Sequence, residues 1–220
     1  HDLKTPLSSI MGSLSTIQSY GDSFSKEEQN EMLDMALSES KRLDNYIDKI
    51  IQMLKLDSGK LNLSFQKINS HIFMQEIQEV SERLYKKQVL KFILPKEQFS
   101  IECDPILFQQ VILNLIDNAV KFTADSSKEI LVSLKRKNEN KGLFEVIDDG
   151  IGLGKDELEK IFTIFHRIER RDSYTQGNGL GLAICKGIVA AHNGDINAYS
   201  AGEGCGSVFR LTLPLVQKNG

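Results

Sequence analysis

The sequence is short of cysteine, of long apolar runs and of clustered basic residues, and each shortage excludes a class of protein. The three cysteines, Cys103, Cys185 and Cys205, are odd in number, and their spacing matches no zinc-binding pattern. We therefore expect no disulfide framework, and a reducing compartment such as the cytoplasm. No apolar run approaches the roughly 20 residues that a membrane-spanning helix needs, and no signal peptide is visible.

The charge balance gives no sign of a nucleic-acid partner. The 220 residues include 27 basic and 30 acidic side chains, a formal net charge of −3, without a long basic run. With 40% hydrophobic and 26% charged residues, the composition is that of a folded protein rather than a disordered one. The chain starts at His1 rather than at methionine, so we expect a missing upstream part, which would carry any sensor or membrane anchor.

Residues 1–59 are predicted to form a helical hairpin. In the first helix, apolar side chains alternate at intervals of four and three residues: Leu3, Leu7, Ile10, Leu14 and Ile17. The second helix, over about 25–56, has an apolar stripe that includes Leu33, Ala36, Leu43, Ile47, Ile50 and Leu54. Residues 20–23 favour a turn between the helices, and Gly59 favours a stop. Because such a hairpin has too little core to fold alone, we expect two copies to pair as a four-helix bundle in a homodimer.

Residues 60–220 mix strand and helix patterns. The predicted strands lie at about 61–65, 89–94, 99–103, 129–137, 143–148, 195–200 and 207–213. The predicted helices lie at about 71–85, 105–123 and 180–191. A glycine-rich, polar stretch over 152–178 is predicted to be partly a loop. This order of elements predicts a two-layer α+β sandwich, with helices on one face of a mixed sheet.

The first candidate site is His1, which falls outside the apolar stripe of the predicted first helix. An exposed imidazole is a workable nucleophile near neutral pH. Asp2 could accept a hydrogen bond from one ring nitrogen, which leaves the other free to attack. Thr5, one turn further along the helix, could position a water molecule against a phosphoryl group. For a lone histidine, an ordinary solvated side chain at a chain end is the simpler interpretation.

The second candidate site is a polar stripe on the predicted helix 105–122. It is formed by Gln110, Asn114, Asp117, Asn118 and Lys121 on an otherwise strongly apolar helix. Amide oxygens suit a hydrated Mg²⁺, and a lysine suits phosphates. Taken alone, such a stripe could simply face water.

Two glycine-rich segments form the third candidate site. Asp148 ends a predicted strand, where its carboxylate could accept a hydrogen bond from an adenine amino group, and Gly150 and Gly152 would let the backbone approach a flat base. Gly177, Gly179 and Gly181 open the next predicted helix, whose N-terminus could bind phosphates. The spacing matches neither a P-loop nor a Rossmann fingerprint, and each segment alone could be a plain turn.

Taken together, these segments resemble the ordered sequence boxes of sensor histidine kinases of two-component systems. HDLKTPL (1–7) resembles the phosphoacceptor box, although Glu is commoner than Asp at position 2. Four later segments resemble, in order, the N, G1, F and G2 boxes of the ATP domain: NLIDNAVKFT (114–123), DDGIGLG (148–154), IFTIFHR (161–167) and GNGLGLAICKGIV (177–189). A weaker final glycine motif lies at 203–207, and the chain has a slight resemblance to potassium-responsive sensor kinases.

The resemblance implies a Bergerat-type (GHKL) ATP-binding fold over 60–220 and assigns a role to each box. Asn114 and Asn118 would bind Mg²⁺ and the phosphates of ATP, and Lys121 a phosphate. Asp148 would recognise adenine in a pocket shaped by Gly150 and Gly152. Phe162 and Phe165 would anchor a lid, and Arg167 would contact the γ-phosphate. The glycines at its end, Gly177, Gly179 and Gly181, would hinge the lid and admit the phosphates, and Leu180 is the remaining implied ATP-binding residue.

The implied activity is phosphoryl transfer from ATP to His1, followed by transfer to an aspartate of a response regulator. The hairpin would serve as the docking surface for that regulator, and Thr5 suggests a further phosphatase activity. Two alternatives differ in class. An ATPase of the same fold would need a general base where the chain has Gln110, a poor one. A degenerate dimeric scaffold would need no nucleotide site at all.

Overall fold

The computed structural model describes residues 3–123, 128–166 and 179–216. The chain divides into two compact units, and the boundary lies between Asp57 and Ser58. Of the predicted site residues, four lie outside the described residues: His1, Asp2, Arg167 and Gly177. No helix within the described ranges is long and apolar enough to cross a membrane.

The first unit is a helical hairpin, as the apolar periodicity predicts. Helix α1 spans Lys4–Tyr20, a single 3₁₀ turn covers Gly21–Ser23, and helix α2 spans Lys26–Asp57. A capping box begins α2: the Ser25 amide donates to Oε2 of Glu28 at 2.8 Å, and the Glu28 amide donates to Oγ of Ser25 at 3.2 Å. These reciprocal bonds fix the point at which the chain reverses.

The apolar stripes of the hairpin remain largely exposed in a single chain. Only Pro6, Ala36 and Tyr46 are buried among the described residues of the two helices. Leu7 and Leu14 keep 47% and 48% of their surface accessible. The hairpin therefore has almost no core of its own, as its size predicts.

The second unit is an α+β sandwich. Its main sheet contains β2 (Val89–Ile93), β4 (Glu129–Arg136), β5 (Lys141–Asp148), β6 (Asp195–Tyr199) and β7 (Ser207–Pro214). The strand order is β2-β4-β5-β7-β6, in which only β2 and β4 pair in parallel. A two-stranded antiparallel sheet joins β1 (Gln66–Asn69) to β3 (Ser100–Cys103). The helices are α3 (Ser70–Leu84), α4 (Pro105–Phe122), α5 (Lys155–Leu158) and α6 (Gly181–Ala191).

Helix α4 is the central packing element. Asp104 caps its N-terminus by accepting hydrogen bonds from the amides of Ile106 and Leu107, both at 3.1 Å. The buried face of α4 consists of Phe108, Val111, Ile112, Leu115, Ile116 and Ala119. The ring of Phe108 lies 5.1 Å from that of Phe144 on β5, so the helix packs directly on the sheet. Its opposite, polar face is thereby left for other contacts.

One predicted strand is wrong. Residues 61–65 alternate like a strand, yet the strand starts at Gln66. The pairing of β1 with β3 ends at Gln66 and Cys103, because the chain turns into α4 immediately after Cys103. Residues before Gln66 therefore have no ladder to join, and the amide of Ser64 instead donates to Oδ2 of Asp104 at 2.9 Å.

Candidate functional site

The polar face of α4 holds two asparagines whose amide groups are available to a ligand. Asn114 and Asn118 are partly exposed, and neither side chain makes a hydrogen bond to another described residue. They lie one helical turn apart on the same face. Lys121, three residues after Asn118 on the same helix, pairs with Oδ2 of Asp117. The structure therefore brings together the residues that the sequence assigns to Mg²⁺ and phosphate.

The donor set fits a magnesium ion that is shared with a phosphate. No group of three or more His, Cys, Asp or Glu side chains that could cage a metal occurs within the described ranges. Mg²⁺ keeps several waters and often takes only one or two protein oxygens beside those of a nucleotide. Two amide oxygens on one helical face, which accept no hydrogen bond within the described residues, match that need.

Asp148 ends β5 as a buried carboxylate with both oxygens engaged. It is 3% exposed. Its Oδ1 accepts a hydrogen bond from the amide of Gly150 at 2.8 Å, and its Oδ2 accepts one from the hydroxyl of Ser207 at 2.6 Å. Burial raises the pKa of Asp148 above its ordinary value, against the lowering effect of these hydrogen bonds. The side chain is thus held in one orientation at the end of the strand.

The glycines after Asp148 allow the loop to press against its neighbours. A Cβ atom at position 150 would lie 2.4 Å from the carbonyl oxygen of Phe122 at the end of α4. Gly152 has φ +66°, and a Cβ atom there would lie 2.1 Å from the carbonyl oxygen of Gly202. The amide of Ile151 donates to the carbonyl oxygen of Phe122 at 3.1 Å. The loop with Asp148 and the helix with the asparagines are therefore directly joined.

In the described part of the segment before α6, both Phe162 and Phe165 contact other parts of the second unit. The ring of Phe162 lies 6.4 Å from that of Phe209, and Nζ of Lys186 lies 5.8 Å from the Phe162 ring centre. Phe165 differs from the expected anchor, because its side chain is 62% exposed; it is held by its amide, which donates to the carbonyl oxygen of Gly179 at 3.0 Å.

The start of α6 is a packed element rather than an open loop. Leu180 is 1% exposed and belongs to the core, so its side chain is buried away from any ligand. At Gly181, the first residue of the helix, a Cβ atom would meet nothing within 4 Å.

In the first unit, Thr5 is exposed on α1.

Sequence reasoning missed several residues that shape the site. Ser207 is the clearest, because it lies 59 positions from the carboxylate that it binds; the glycine motif just before the last strand was its only signal. Ser200 was also missed. Its Oγ accepts a hydrogen bond from the amide of Leu153 at 3.0 Å and donates one to the carbonyl oxygen of Gly206 at 2.6 Å. These bonds connect the loop after Asp148 to the residue just before the last strand.

His192 is a buried link between two helices. It is 1% exposed. Its Nε2 accepts a hydrogen bond from the amide of Asp104 at 2.9 Å, and its Nδ1 lies 2.7 Å from the carbonyl oxygen of Ile188. The imidazole therefore joins the end of α6 to the start of α4.

Two family models match the sequence. The model of the His Kinase A (phospho-acceptor) domain matches residues 1–59. The model of the histidine kinase-, DNA gyrase B-, and HSP90-like ATPase matches residues 103–217, more than half of the chain. The order of the two matches follows the order of the two units.

Curated relatives and solved structures agree with these matches. Sensor protein KdpD of Clostridium acetobutylicum is 34% identical over 216 residues, which are 97% of this chain and 24% of the relative. Sensor histidine kinase WalK of Bacillus subtilis is 33% identical over 218 residues, 97% of this chain and 35% of the relative. The chain thus spans only a minor part of the length of these relatives.

The fold is that of solved histidine kinases. The Acinetobacter baumannii histidine kinase AdeS has a TM-score of 0.77 at 20% identity, with 98% of both chains covered. Histidine kinase ThkA, in its complex with response regulator protein TrrA, has a TM-score of 0.72 at 22% identity, covering 98% of this chain and 59% of that one. The predicted fold class, a helical hairpin followed by a GHKL-type sandwich, is therefore confirmed. The chain belongs to the sensor histidine kinases of two-component systems.

Proposed function

We propose that this chain is the catalytic core of a two-component sensor, which phosphorylates its own His1 from ATP and then passes the phosphoryl group to an aspartate of a response regulator. Residues 1–59 would form the phosphoacceptor and dimerisation domain, and 60–220 the ATP-binding domain. The observation that carries the proposal is the junction of α4 with the loop after Asp148, through the bond from the Ile151 amide to the Phe122 carbonyl oxygen. It supports one site in which Asp148 would recognise the base and the polar side chains of α4 would bind the phosphates.

In this site, each group has a defined task. The Asp148 carboxylate would accept a hydrogen bond from the adenine amino group. Asn114 and Asn118 would hold Mg²⁺, which neutralises charge on the phosphates when it is bound. Lys121 would bind a phosphate oxygen through its ammonium. Phosphoryl transfer depends mainly on such positioning and charge neutralisation, which this arrangement can supply.

The chemical step proposed for His1 is an in-line displacement. A ring nitrogen of His1 would attack the γ-phosphorus, so that a P–N bond forms as the bond to the bridging oxygen breaks and ADP leaves. Asp2 would accept a hydrogen bond from the other ring nitrogen and keep it protonated. Thr5, exposed on α1, would orient a water for a separate reaction, in which the phosphoryl group of the regulator is hydrolysed.

The test uses γ-labelled ATP with Mg²⁺ on the protein and on its His1→Gln variant. We expect label on the parent that is lost in acid and resists base, and no label on the variant. Label that persists on His1→Gln would show that the acceptor assignment is wrong. Release of ADP without any label would favour the ATPase alternative, and absence of nucleotide binding the scaffold; the comparisons support neither.

The regulator is tested separately. The labelled kinase is mixed with a receiver domain and with the same domain carrying Asn in place of its acceptor aspartate. Transfer of label to the first domain alone is expected.

The predicted cytoplasmic location, the upstream membrane anchor and the likeness to potassium-responsive kinases stay predictions.

A further inference from the structure

Asp117 lies in the middle of the polar face of α4 and has no task in the function proposed above. Its Oδ1 accepts a hydrogen bond from the Tyr85 hydroxyl at 3.3 Å, and its Oδ2 accepts one from Nζ of Lys121. The two donors come from different elements: Tyr85 follows α3, whereas Lys121 lies one turn after Asp117 in α4. The carboxylate is thereby held from two directions.

Tyr85 is itself firmly placed. Its amide donates to the carbonyl oxygen of Ser81 at 2.9 Å, and its own carbonyl oxygen accepts from the amide of Gln88 at 3.0 Å. The side chain of Gln88 in turn donates to the carbonyl oxygen of Lys128 at 2.6 Å, which ties this turn to the segment that leads into β4. Burial raises the pKa of Tyr85 well above its usual range, and the charge and hydrogen bond of Asp117 raise it further. The phenol therefore stays a hydrogen-bond donor.

The pair of Asp117 and Lys121 is poorly explained as a stabiliser of the fold. The two side chains are 36% and 43% exposed, and ion pairs on such a surface contribute little to folding because solvent screens them. A carboxylate beside a site for polyphosphate would also repel the ligand. Its presence there needs a reason that outweighs the repulsion.

We propose that Asp117, held by Tyr85, is a positioning residue that orients the ammonium of Lys121 for the phosphates of ATP. The proposal rests on the role given to Lys121 under the proposed function. A lysine has a flexible four-carbon stem, and fixing its ammonium before ATP arrives removes part of the ordering cost of binding. Because an ammonium has three hydrogen-bond donors, its bond to Asp117 leaves two for phosphate oxygens.

The first test exploits the sign of the effect. Asp117→Asn keeps the size of the side chain and removes its charge. If the carboxylate only repelled phosphates, this variant would bind ATP more tightly. The proposal predicts weaker binding, by about three- to tenfold in Kd measured by calorimetry with Mg²⁺. Tyr85→Phe, which keeps the ring and loses the hydroxyl, should weaken binding in the same direction by a smaller factor.

A double variant separates this inference from the proposed function. In a Lys121→Ala background, Asp117→Asn should cause no further loss of ATP affinity, since there is no ammonium left to orient. In autophosphorylation, Asp117→Asn should raise KM for ATP with little change in kcat. Binding of adenosine, which has no phosphates, should be unchanged in every variant.

The two ways of failing differ. If Lys121→Ala weakens ATP binding while Asp117→Asn binds as tightly as the parent or more tightly, the positioning role is overturned and the proposed function stands. If Lys121→Ala itself binds ATP like the parent, the phosphate role of Lys121 is wrong, and the inference falls with it. An additive loss in the double variant also overturns the positioning role.

Discussion

The hydroxyl of Ser207, on the last strand, donates a hydrogen bond of 2.6 Å to Oδ2 of the buried Asp148 at the end of β5. The two residues face each other in the antiparallel register of β5 and β7. The carboxylate proposed to recognise adenine is therefore oriented by Ser207 of the last strand, 59 residues further along the chain.

Ser207→Ala removes that donor and should weaken both the fold and the nucleotide site. A buried carboxylate oxygen that loses a hydrogen bond costs about 1–3 kcal/mol of the free energy of unfolding. ATP affinity should fall as well, because Asp148 loses its fixed orientation. Urea unfolding and calorimetry with ATP measure the two effects. Ser207→Thr keeps the hydroxyl and is the matched control; a Ser207→Ala protein equal to the parent in both measurements would contradict this role.

Asp148 should make the stability of the protein depend on pH in an unusual direction. Burial raises its folded-state pKa above the ordinary value of 3.8, so the folded protein binds this proton more tightly than the unfolded chain does. The stabilisation is complete below that ordinary value and is lost as pH rises through the folded pKa. Asp148→Asn cannot titrate and lacks this contribution.

The unfolding free energy of the parent, minus that of Asp148→Asn, should therefore decrease as the pH is raised from about 4 towards neutrality. Urea unfolding at several pH values gives this difference directly. Subtracting the variant cancels the other titrating groups, among them Glu145. Burial raises the pKa of Glu145, but the hydrogen bonds and charges of Lys135 and Arg210 outweigh that effect and hold it below its ordinary value. A difference that grows with pH would show that Asp148 is ionised at low pH in the fold.

Gly150→Ala should damage the site through crowding. The added methyl group would lie 2.4 Å from the carbonyl oxygen of Phe122, so the loop has to move away from α4 and the bond from the Ile151 amide is strained. We expect a loss of about 1–3 kcal/mol in stability and a large loss of ATP binding. Gly181→Ala is the control for folding, because a methyl group there meets nothing within 4 Å. Equal melting temperatures for the two variants would contradict the crowding argument.

The exposed apolar stripe of the hairpin should be the surface through which two copies associate. Leu14 on α1 is 48% exposed and Ile47 on α2 is 44% exposed, and a folded protein rarely leaves such a stripe to water. Leu14→Glu should therefore shift the protein towards a monomer in sedimentation velocity. Gln18→Glu introduces the same charge at an exposed polar position of α1 and should leave the dimer intact. A parent protein that sediments as a monomer would contradict the proposed homodimer.

Patterns within one element were readable from the sequence, and contacts between distant elements were not. The predicted helix at about 105–123 begins where α4 begins, at Pro105 after the capping Asp104, because capping is local chemistry. The amides of α4 could be placed on one face from helical spacing alone. The partner of Asp148, by contrast, depends on the register of β5 with β7, and no local pattern carries that information.

The same limit explains the other differences. The alternation over 61–65 is a true strand pattern, but whether a strand forms depends on a partner, and β3 ends where α4 begins. The polar stripe of α4 was predicted to include Asp117, yet its hydrogen bond to Tyr85 arises from the packing of the turn after α3. Fold class could be predicted because it follows from the order of elements, whereas the finer geometry of the site follows from their packing.

The hydrogen bonds of His192 decide where its proton sits. Because the Asp104 amide donates to Nε2, the ring must be protonated at Nδ1, which donates to the Ile188 carbonyl oxygen. Neither nitrogen then has a lone pair to offer a phosphoryl donor, and the ring is 1% exposed. We expect that shielded proton to exchange slowly with water and to give a separate downfield line in a proton NMR spectrum. His192 would thus serve as an internal reporter that α4 and α6 stay docked while His1, the proposed acceptor, is phosphorylated.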